Sequence, residues 1–125
     1  MDPAAYLRRI GVDDDVRPPS VENLYVLHRA HVERVPYETI EIQLERPTTV
    51  DPHEAAARIV ERGLGGYCYH LNGAFSLLLE ALGYDVTWHR GGVQPHSQPA
   101  PVGPIGNHLA LTVANLPTDG NPTGE

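Results

Sequence analysis

The chain has 125 residues, 41% of them hydrophobic, and a formal net charge of −7 at pH 7. This length suits one small domain or part of a larger one, and the hydrophobic fraction argues against global disorder. All nine basic residues are arginines and they form no basic patch in the sequence, so we expect no nucleic-acid partner.

The sequence also bears on the compartment. The first fifteen residues contain several charges and no apolar stretch of the kind found in a signal peptide. No apolar run approaches the ~20 residues that a membrane span requires. The single cysteine excludes an internal disulfide and suits a reducing environment. We therefore expect a cytoplasmic protein with no membrane partner.

The N-terminal third is predicted to be helical. Residues 3–10 form a short amphipathic helix that ends at Gly11, and the acidic, proline-rich residues 11–19 form a loop. Ser20 is the expected N-cap of a second helix. Pro36 ends that helix, because proline disfavours the helical conformation at the residue before it.

Two further signals follow. Apolar and polar residues alternate over 40–44, which predicts a short extended segment. Asp51 as N-cap, with Pro52 in the first helical position and Glu54 in the third, forms a capping box and is the clearest helix start in the chain. This helix is predicted to end at Gly63.

After a glycine turn, a further helix is predicted to begin near Cys68 and to end at Gly83. One stripe of this helix is apolar and is expected to face the core. The stripe consists of Cys68, Leu71, Phe75, Leu78, Leu79 and Leu82. Cys68 is therefore expected in the first turn of a helix.

The C-terminal third has the composition of strands. Residues 85–90 and 109–113 are predicted strands, 94–106 a proline- and glycine-rich loop, and 116–122 a turn. Two strands alone do not form an independently stable sheet. We therefore expect a fragment of a longer chain.

The expected fold class is α+β, with two domains. The first, residues 1–83, is a helical bundle that carries Cys68. The second, residues 84–125, is the start of an antiparallel β-barrel or sheet and carries His108.

Cys68 is the candidate nucleophile. A thiol reacts as the thiolate, and a helix N-terminus is one of the local devices that favours this form. His108, at the head of a predicted strand, is the candidate base. A single cysteine on an apolar helix face is more often an inert core residue. From Cys68 and His108 alone, Cys68 can therefore be interpreted either as a nucleophile or as a core residue. Gly65 and Gly66 favour catalysis, because they allow a tight turn and expose N–H groups that an oxyanion needs.

Several segments resemble motifs of the arylamine N-acetyltransferase family. The sequence around the cysteine resembles that family's active-site pattern, Arg-Gly-Gly-aromatic-Cys-x-Glu-x-Asn. Further matching segments occur in family order and extend the resemblance over essentially the whole chain. They are Tyr6-Leu7-Arg8-Arg9-Ile10-Gly11, Leu27-His28-Arg29-Ala30-His31, Pro36-Tyr37-Glu38-Thr39-Ile40 and Asn107-His108-Leu109-Ala110-Leu111.

The resemblance implies a longer fold and a covalent mechanism. By resemblance, the whole fold would consist of a helical bundle, a β-barrel and an α/β lid, and its cysteine and histidine would have a papain-like arrangement. By resemblance, Cys68 would take an acetyl group from acetyl-CoA and pass it to an arylamine or hydrazine with ping-pong kinetics, and His108 would move the proton. The backbone N–H of Cys68 is the candidate oxyanion donor. The catalytic Asp of the family would lie beyond Glu125.

Two positions depart from what the resemblance implies, and a third, Asp119, is weighed as a substitute for the missing catalytic Asp. Leu64 occupies the position of the motif's Arg, which leaves Glu38 without its expected partner. His70 occupies the position of the motif's Glu, so one negative charge is lost. Asp119 is the nearest acidic residue after His108, but it lies in the predicted turn and is interpreted first as a turn residue.

Other interpretations remain open. A catalytically inactive homologue could bind another chain through its open strand edges, and an amide synthase of natural-product biosynthesis would use the same Cys-His chemistry. Tyr37 and Tyr69 are candidates for lining an aromatic-substrate cleft, although packing explains them equally well. The remaining histidines are irregularly spaced around one cysteine, which is a poor zinc signature, so we expect no metal. The sequence assigns no residue to CoA and no oligomeric state.

Overall fold

The structure is a computed structural model that describes residues 1–13, 17–97, 103 and 106–125. This part of the chain contains five helices followed by two strands, so the predicted α+β class is confirmed. The elements are α1 (Pro3–Ile10), α2 (Val21–Arg34), α3 (Ile40–Gln43), α4 (Pro52–Val60), α5 (Cys68–Ala81), β1 (Asp85–Gly91) and β2 (His108–Ala114).

The predicted helix starts are confirmed by their capping hydrogen bonds. The Ser20 hydroxyl accepts the Asn23 N–H at 3.1 Å at the start of α2. The Asp51 carboxylate accepts the His53 N–H at 2.8 Å at the start of α4. The second half of the capping box is wrong, because the Asp51 N–H donates to the Thr49 hydroxyl at 3.0 Å, where a capping box would use a Glu54 carboxylate oxygen.

The predicted helix ends hold with one exception. Gly11 follows α1 and Gly83 lies just beyond the end of α5, each with a positive φ, as expected for helix C-termini. Val35, before Pro36, is extended and closes α2. α4 is shorter than predicted, since it ends at Val60 and not at Gly63.

The extended segment predicted over residues 40–44 is wrong. Ile40–Gln43 forms the short helix α3. The Glu38 carboxylate accepts the Ile40 N–H at 2.8 Å, which favours a turn at this point. The apolar side chains of this segment are exposed, so their alternation with polar residues does not mark the buried face of a sheet.

The hydrophobic core lies between α1, α2, α4 and α5. α5 is the central element, because it packs against α1, α4, β1 and β2. Trp88 of β1 donates from Nε1 to the Ser76 hydroxyl of α5 at 2.9 Å, which joins the sheet to the helices. The buried side chains of the core are Tyr6, Leu7, Ile10, Leu27, Val35, Ala55, Ala56, Ile59, Ala74, Phe75, Leu78, Leu79 and Tyr84.

β1 and β2 form an antiparallel pair, in which Asp85 is opposite Ala114 and Gly91 is opposite His108. Both predicted strands are thereby confirmed. The predicted turn near the end of the chain is also confirmed, since Thr118 and Asn121 exchange backbone hydrogen bonds of 3.0 and 3.1 Å. Of the two predicted loops, residues 14–16, 98–102, 104 and 105 lie outside the described residues.

Among the described residues, no helix has both the length and the apolar character that crossing a membrane requires. The division of the chain at residue 83 stays a prediction.

Candidate active site

Cys68 is the first residue of α5, as predicted, and its side chain is buried. Tyr67 is the N-cap of this helix, and its side chain makes no capping hydrogen bond. Burial and position are compatible with both interpretations of Cys68, the nucleophile and the inert core residue.

The turn before Cys68 depends on two glycines that lie close to neighbouring groups. A Cβ atom on Gly65 would lie 1.8 Å from the Pro36 carbonyl oxygen, and one on Gly66 would lie 2.4 Å from Nδ1 of His70. Neither position has room for a side chain. The chain therefore passes within backbone hydrogen-bonding distance of residues 36–38.

The backbone groups of Gly66 are already hydrogen-bonded. Its N–H donates to the Pro36 carbonyl at 3.2 Å, and its carbonyl accepts the Glu38 N–H at 3.0 Å. The expectation that both glycines expose N–H groups to an oxyanion is therefore wrong for Gly66. Within the described residues, neither the N–H of Cys68, the other predicted donor, nor the N–H of Gly65 makes a hydrogen bond to a backbone carbonyl.

Three side chains at the start of α5 contact the segment that contains His108. The Cys68 thiol lies 4.0 Å from the Asn107 carbonyl oxygen. The Tyr69 hydroxyl donates to the Gly106 carbonyl at 2.5 Å, and Nδ2 of Asn72 donates to the Leu109 carbonyl at 2.6 Å. The fold thus brings the backbone on both sides of His108 to the first turns of α5. The catalytic pairing of Cys68 and His108 stays a prediction.

His108 is half-buried at the beginning of β2, and it lies at the edge of a groove between α2, α5 and β2. The groove has a volume of about 340 Å³ and is lined by Tyr25, His28, Asn72 and Phe75 among other residues. Cys68 is not among its described lining residues. Of the two candidate catalytic residues, His108 therefore lines the groove and Cys68 does not.

Glu38 has a partner that the sequence analysis missed. Arg58 of α4 is buried, and its Nη2 donates to the Glu38 carboxylate at 2.5 Å. The same guanidinium donates to the Glu41 carboxylate and, from Nε, to the Gly65 carbonyl at 2.6 Å. Glu38 is therefore paired, although position 64 is a leucine where the family motif has an arginine.

One sequence signal indicated this role for Arg58. Arg58 follows Ala55 by three residues and precedes Ile59, so it lies on the apolar face of a predicted helix. A charged residue on such a face needs a buried partner. The sequence did not identify the partners, because Glu38 and Glu41 come from another segment.

Hydrogen bonds keep this cluster ionised. The Ile40 N–H, together with the Arg58 guanidinium, holds the pKa of Glu38 below its usual range against the opposing effect of burial. The Arg58 guanidinium does the same for the pKa of Glu41. Burial by itself lowers the pKa of Arg58, but its hydrogen bonds to the two carboxylates outweigh this effect and raise it.

His70 is buried beneath the glycine turn. Its Nε2 lies 3.0 Å from the Thr49 carbonyl oxygen, and its ring forms a T-shaped pair with that of Tyr67, with ring centroids 4.5 Å apart. Burial lowers the pKa of His70, so the ring is neutral, and the Thr49 contact assigns the proton to Nε2. Nδ1 has no hydrogen-bond partner among the described residues. The neutral ring agrees with the predicted loss of one negative charge at this position.

The remaining candidates occupy structural positions. Asp119 lies exposed in the turn closed by Thr118 and Asn121, as expected for a turn residue. Tyr37 is exposed, whereas Tyr69 is half-buried and hydrogen-bonded. Within the described ranges, no group of three or more His, Cys, Asp or Glu side chains is arranged to hold a metal ion.

The two histidines of α2 occupy one packed position and one surface position. His31 is buried with its Nε2 2.9 Å from the Tyr6 hydroxyl, and His28 is exposed beside Phe75.

Known proteins are similar to this chain over most of its length. A family model described as N-acetyltransferase matches residues 20–119. The chain is 37% identical to an arylamine N-acetyltransferase of Mycolicibacterium smegmatis over 122 residues, which cover 96% of this chain and 44% of that protein. It is 36% identical to proansamycin X synthase of Amycolatopsis mediterranei over 89 residues, which cover 69% of this chain and 34% of that protein.

Solved structures give the same result. The arylamine N-acetyltransferase of M. tuberculosis matches with a TM-score of 0.82 and 30% identity, over 95% of this chain and 44% of that one. The Mycobacterium marinum enzyme in complex with CoA matches with a TM-score of 0.78 and 30% identity, over 93% of this chain and 42% of that one. The chain thus spans less than half the length of these relatives.

Proposed function

The chain belongs to the arylamine N-acetyltransferase family, and we propose that it carries the nucleophile and the base of an acetyl transfer from acetyl-CoA to an arylamine or hydrazine. In this proposal Cys68 is the nucleophile and His108 is the base. The observation that supports it is the placement of Cys68 as the first residue of α5, with its thiol 4.0 Å from the Asn107 carbonyl that directly precedes His108.

In the first half-reaction, the Cys68 thiolate attacks the thioester carbonyl of acetyl-CoA. A bond forms between Sγ and the acetyl carbon, and the bond from that carbon to the CoA sulfur breaks. His108 takes the thiol proton beforehand and gives it to the departing CoA thiolate. The products are acetyl-Cys68 and free CoA.

In the second half-reaction, the nitrogen of the amine attacks the acetyl carbon of acetyl-Cys68. The carbon–sulfur bond breaks, the amine loses one proton through His108, and the Cys68 thiol is restored. Because CoA leaves before the amine reacts, the kinetics are ping-pong. No metal takes part.

The negative charge on the carbonyl oxygen needs hydrogen-bond donors during both steps. The Cys68 N–H lies at the positive end of α5, whereas the Gly66 N–H is bound to the Pro36 carbonyl. The proposal therefore assigns the oxyanion to the Cys68 N–H.

The co-substrate follows from the relatives. The M. marinum enzyme was solved in complex with CoA, and several relatives are named for arylamines. The proposal divides the chain into residues 1–83, a helical domain with Cys68, and residues 84–125, part of a β-domain with His108.

A second candidate function has a specific observation in its favour. The identity of 36% to proansamycin X synthase suggests amide formation with a different acyl group, through the same cysteine and histidine. The two candidates differ in the acyl donor and amine, not in the roles of Cys68 and His108.

Product formation tests the proposal. The protein is incubated with acetyl-CoA and an arylamine or a hydrazine, and the acetylated amine is measured by chromatography. We expect product from the unmodified chain, none from Cys68→Ser, and at least a ~100-fold lower rate from His108→Ala. His89→Ala is the matched control, because His89 is exposed on β1 and bonds to the Thr112 hydroxyl.

Two other results would count against the proposal. Equal product from Cys68→Ser would remove the covalent mechanism. A folded chain that releases no acetylated amine would favour a catalytically inactive homologue.

A further inference from the structure

We propose that Arg58 is a positioning residue for Cys68, because it holds the Gly65–Gly66 turn against residues 36–41. Arg58 does not reach the reacting atoms in this proposal. The inference rests on the proposed function, since it takes Cys68 as the nucleophile.

The guanidinium of Arg58 joins three separate segments. Nε donates to the Gly65 carbonyl at 2.6 Å, and Nη2 donates to the Glu38 carboxylate at 2.5 Å. Nη1 donates to the Glu41 carboxylate. Because the guanidinium is planar and rigid, these bonds fix the directions of the three acceptors relative to one another. A lysine has the same charge but no such planar arrangement of donors.

The glycine turn is held from its other side as well. Gly66 exchanges backbone hydrogen bonds with Pro36 and Glu38, and the Pro36 carbonyl fills the space beside Gly65. Arg58 therefore closes a loop of contacts that runs from α4 through Glu38 and the turn back to α4. Cys68 is the second residue after this turn.

The start of α5 has no side-chain cap of its own. The Tyr67 side chain makes no capping hydrogen bond, whereas the side chains of Ser20 and Asp51 cap α2 and α4. The direction in which α5 begins thus depends on the residues before it. Since the turn at Gly65 and Gly66 directly precedes the helix, its position sets the position of Cys68.

Charge adds a second reason for an arginine at this place. The Arg58 guanidinium lies between two carboxylates, and removal of its charge would leave them facing each other in a partly buried site. Arg62 contacts the same Glu41 at 3.5 Å, but its side chain is largely exposed, and within the described part of the chain it makes no bond to Gly65. Arg62 is therefore a matched control for the charge alone.

Amide hydrogen exchange, read by NMR, tests the positioning role. Arg58→Lys keeps the charge and removes the planar three-way contact. We expect the Gly66 and Glu38 amides to exchange about tenfold faster or more, while the Leu24 amide of α2 changes little. Arg62→Gln should leave all three rates unchanged.

The rate at which Cys68 takes up an acetyl group from acetyl-CoA, followed by intact mass, connects the turn to the thiol. We expect this rate to fall about tenfold or more in Arg58→Lys, because a displaced nucleophile meets the thioester in a poorer geometry. Arg62→Gln should keep the rate of the unmodified chain. A loss of general stability that leaves the protein folded would not change this rate.

Several results would overturn the inference. One is an equal rise in exchange at Gly66, Glu38 and Leu24, which would indicate only global destabilisation. Others are unchanged exchange at the turn, and faster exchange with an unchanged rate of Cys68 acetylation. If Arg58→Lys does not fold, Glu41→Gln replaces it, since it weakens the anchoring of Arg58 and leaves the Gly65 contact. We then expect a smaller change at the same two amides, and no change at either would overturn the inference.

The outcome is separable from the proposed function. A chain that accepts no acetyl group but shows the local exchange response would retain Arg58 as the residue that holds the turn and would remove the catalytic role of Cys68. A chain that accepts an acetyl group without the exchange response would retain the catalytic role of Cys68 and would remove the positioning role of Arg58.

Discussion

Single backbone groups determine what the residues around Cys68 can do. The Gly66 N–H donates to the Pro36 carbonyl, which removes one of the expected oxyanion donors, whereas the Gly65 and Cys68 N–H groups make no backbone hydrogen bond within the described residues. The Gly65 carbonyl is used by Arg58. Three backbone groups of the turn, the Gly65 carbonyl and the N–H and carbonyl of Gly66, are therefore hydrogen-bonded before any substrate binds.

The closeness of Pro36 to Gly65 gives a prediction at this scale. In Gly65→Ala, the new Cβ would lie 1.8 Å from the Pro36 carbonyl oxygen, so backbone must move. We expect the free energy of unfolding to fall by about 2–3 kcal/mol, as for an overpacked site. Urea denaturation followed by circular dichroism measures the change.

Gly120→Ala is the control for this substitution. No atom lies within 4 Å of a Cβ added at Gly120, and we expect a change of no more than about 0.5 kcal/mol. Equal stability of the Gly65 and Gly120 variants would contradict the close approach of residues 36 and 65.

At the scale of elements, α1 and α2 are joined by a buried polar pair. The Tyr6 hydroxyl and Nε2 of His31 are 2.9 Å apart, and both side chains are buried. Burial, with smaller effects from His28 and Arg9, lowers the pKa of His31 to about 4. His31 is therefore neutral in the folded protein over most of the physiological range.

This shift gives a pH dependence of stability. Between pH 6.5 and about 4 the unfolded chain binds a proton at His31 that the folded protein does not bind, so stability falls as the pH falls. The difference corresponds to roughly 3 kcal/mol across the window. Burial also lowers the pKa of His70, which adds to the loss in the same direction.

Denaturation of His31→Gln at several pH values checks the assignment. We expect a smaller loss of unfolding free energy between pH 6.5 and 4 than in the unmodified chain, since glutamine does not titrate. His53→Gln, at an exposed position in the first turn of α4, should keep the full loss. Identical pH slopes for the two variants would show that His31 is not responsible.

The elements that could be predicted from sequence are those with local signals. Ser20 and Asp51 cap helices through side chains two or three residues from their partners, and Gly83 lies just after the end of α5. The alternation at 40–44 does not predict the helix α3, because α3 is shaped by Glu38 and by the contact of Glu41 with Arg58, which is 17 residues away.

The same distinction applies to the site. The position of Cys68 at a helix start follows from nearby glycines and the apolar stripe, so the sequence predicts it. The use of the Gly66 N–H by Pro36 and the pairing of Arg58 with Glu38 depend on residues that are distant in the chain. No local pattern contains that information.

At the scale of the whole molecule, α5 and the segment 106–109 join the helices to the sheet. Tyr69 and Asn72 donate to carbonyls of this segment at 2.5 and 2.6 Å, and the thiol of Cys68 lies beside it. This connection brings the proposed nucleophile and the strand of the proposed base into one site. The net charge of −7 means that an anionic co-substrate must be held by local donors against the overall field.

The intact mass of the protein after incubation with acetyl-CoA tests the central claim, that Cys68 is an acyl-accepting nucleophile, most directly. It requires only the first half-reaction and no amine. We predict one added acetyl group on the unmodified chain and none on Cys68→Ser, whose near-isosteric side chain should preserve the fold. A folded unmodified chain that gains no acetyl group, or a Cys68→Ser chain that gains as much, would contradict the claim.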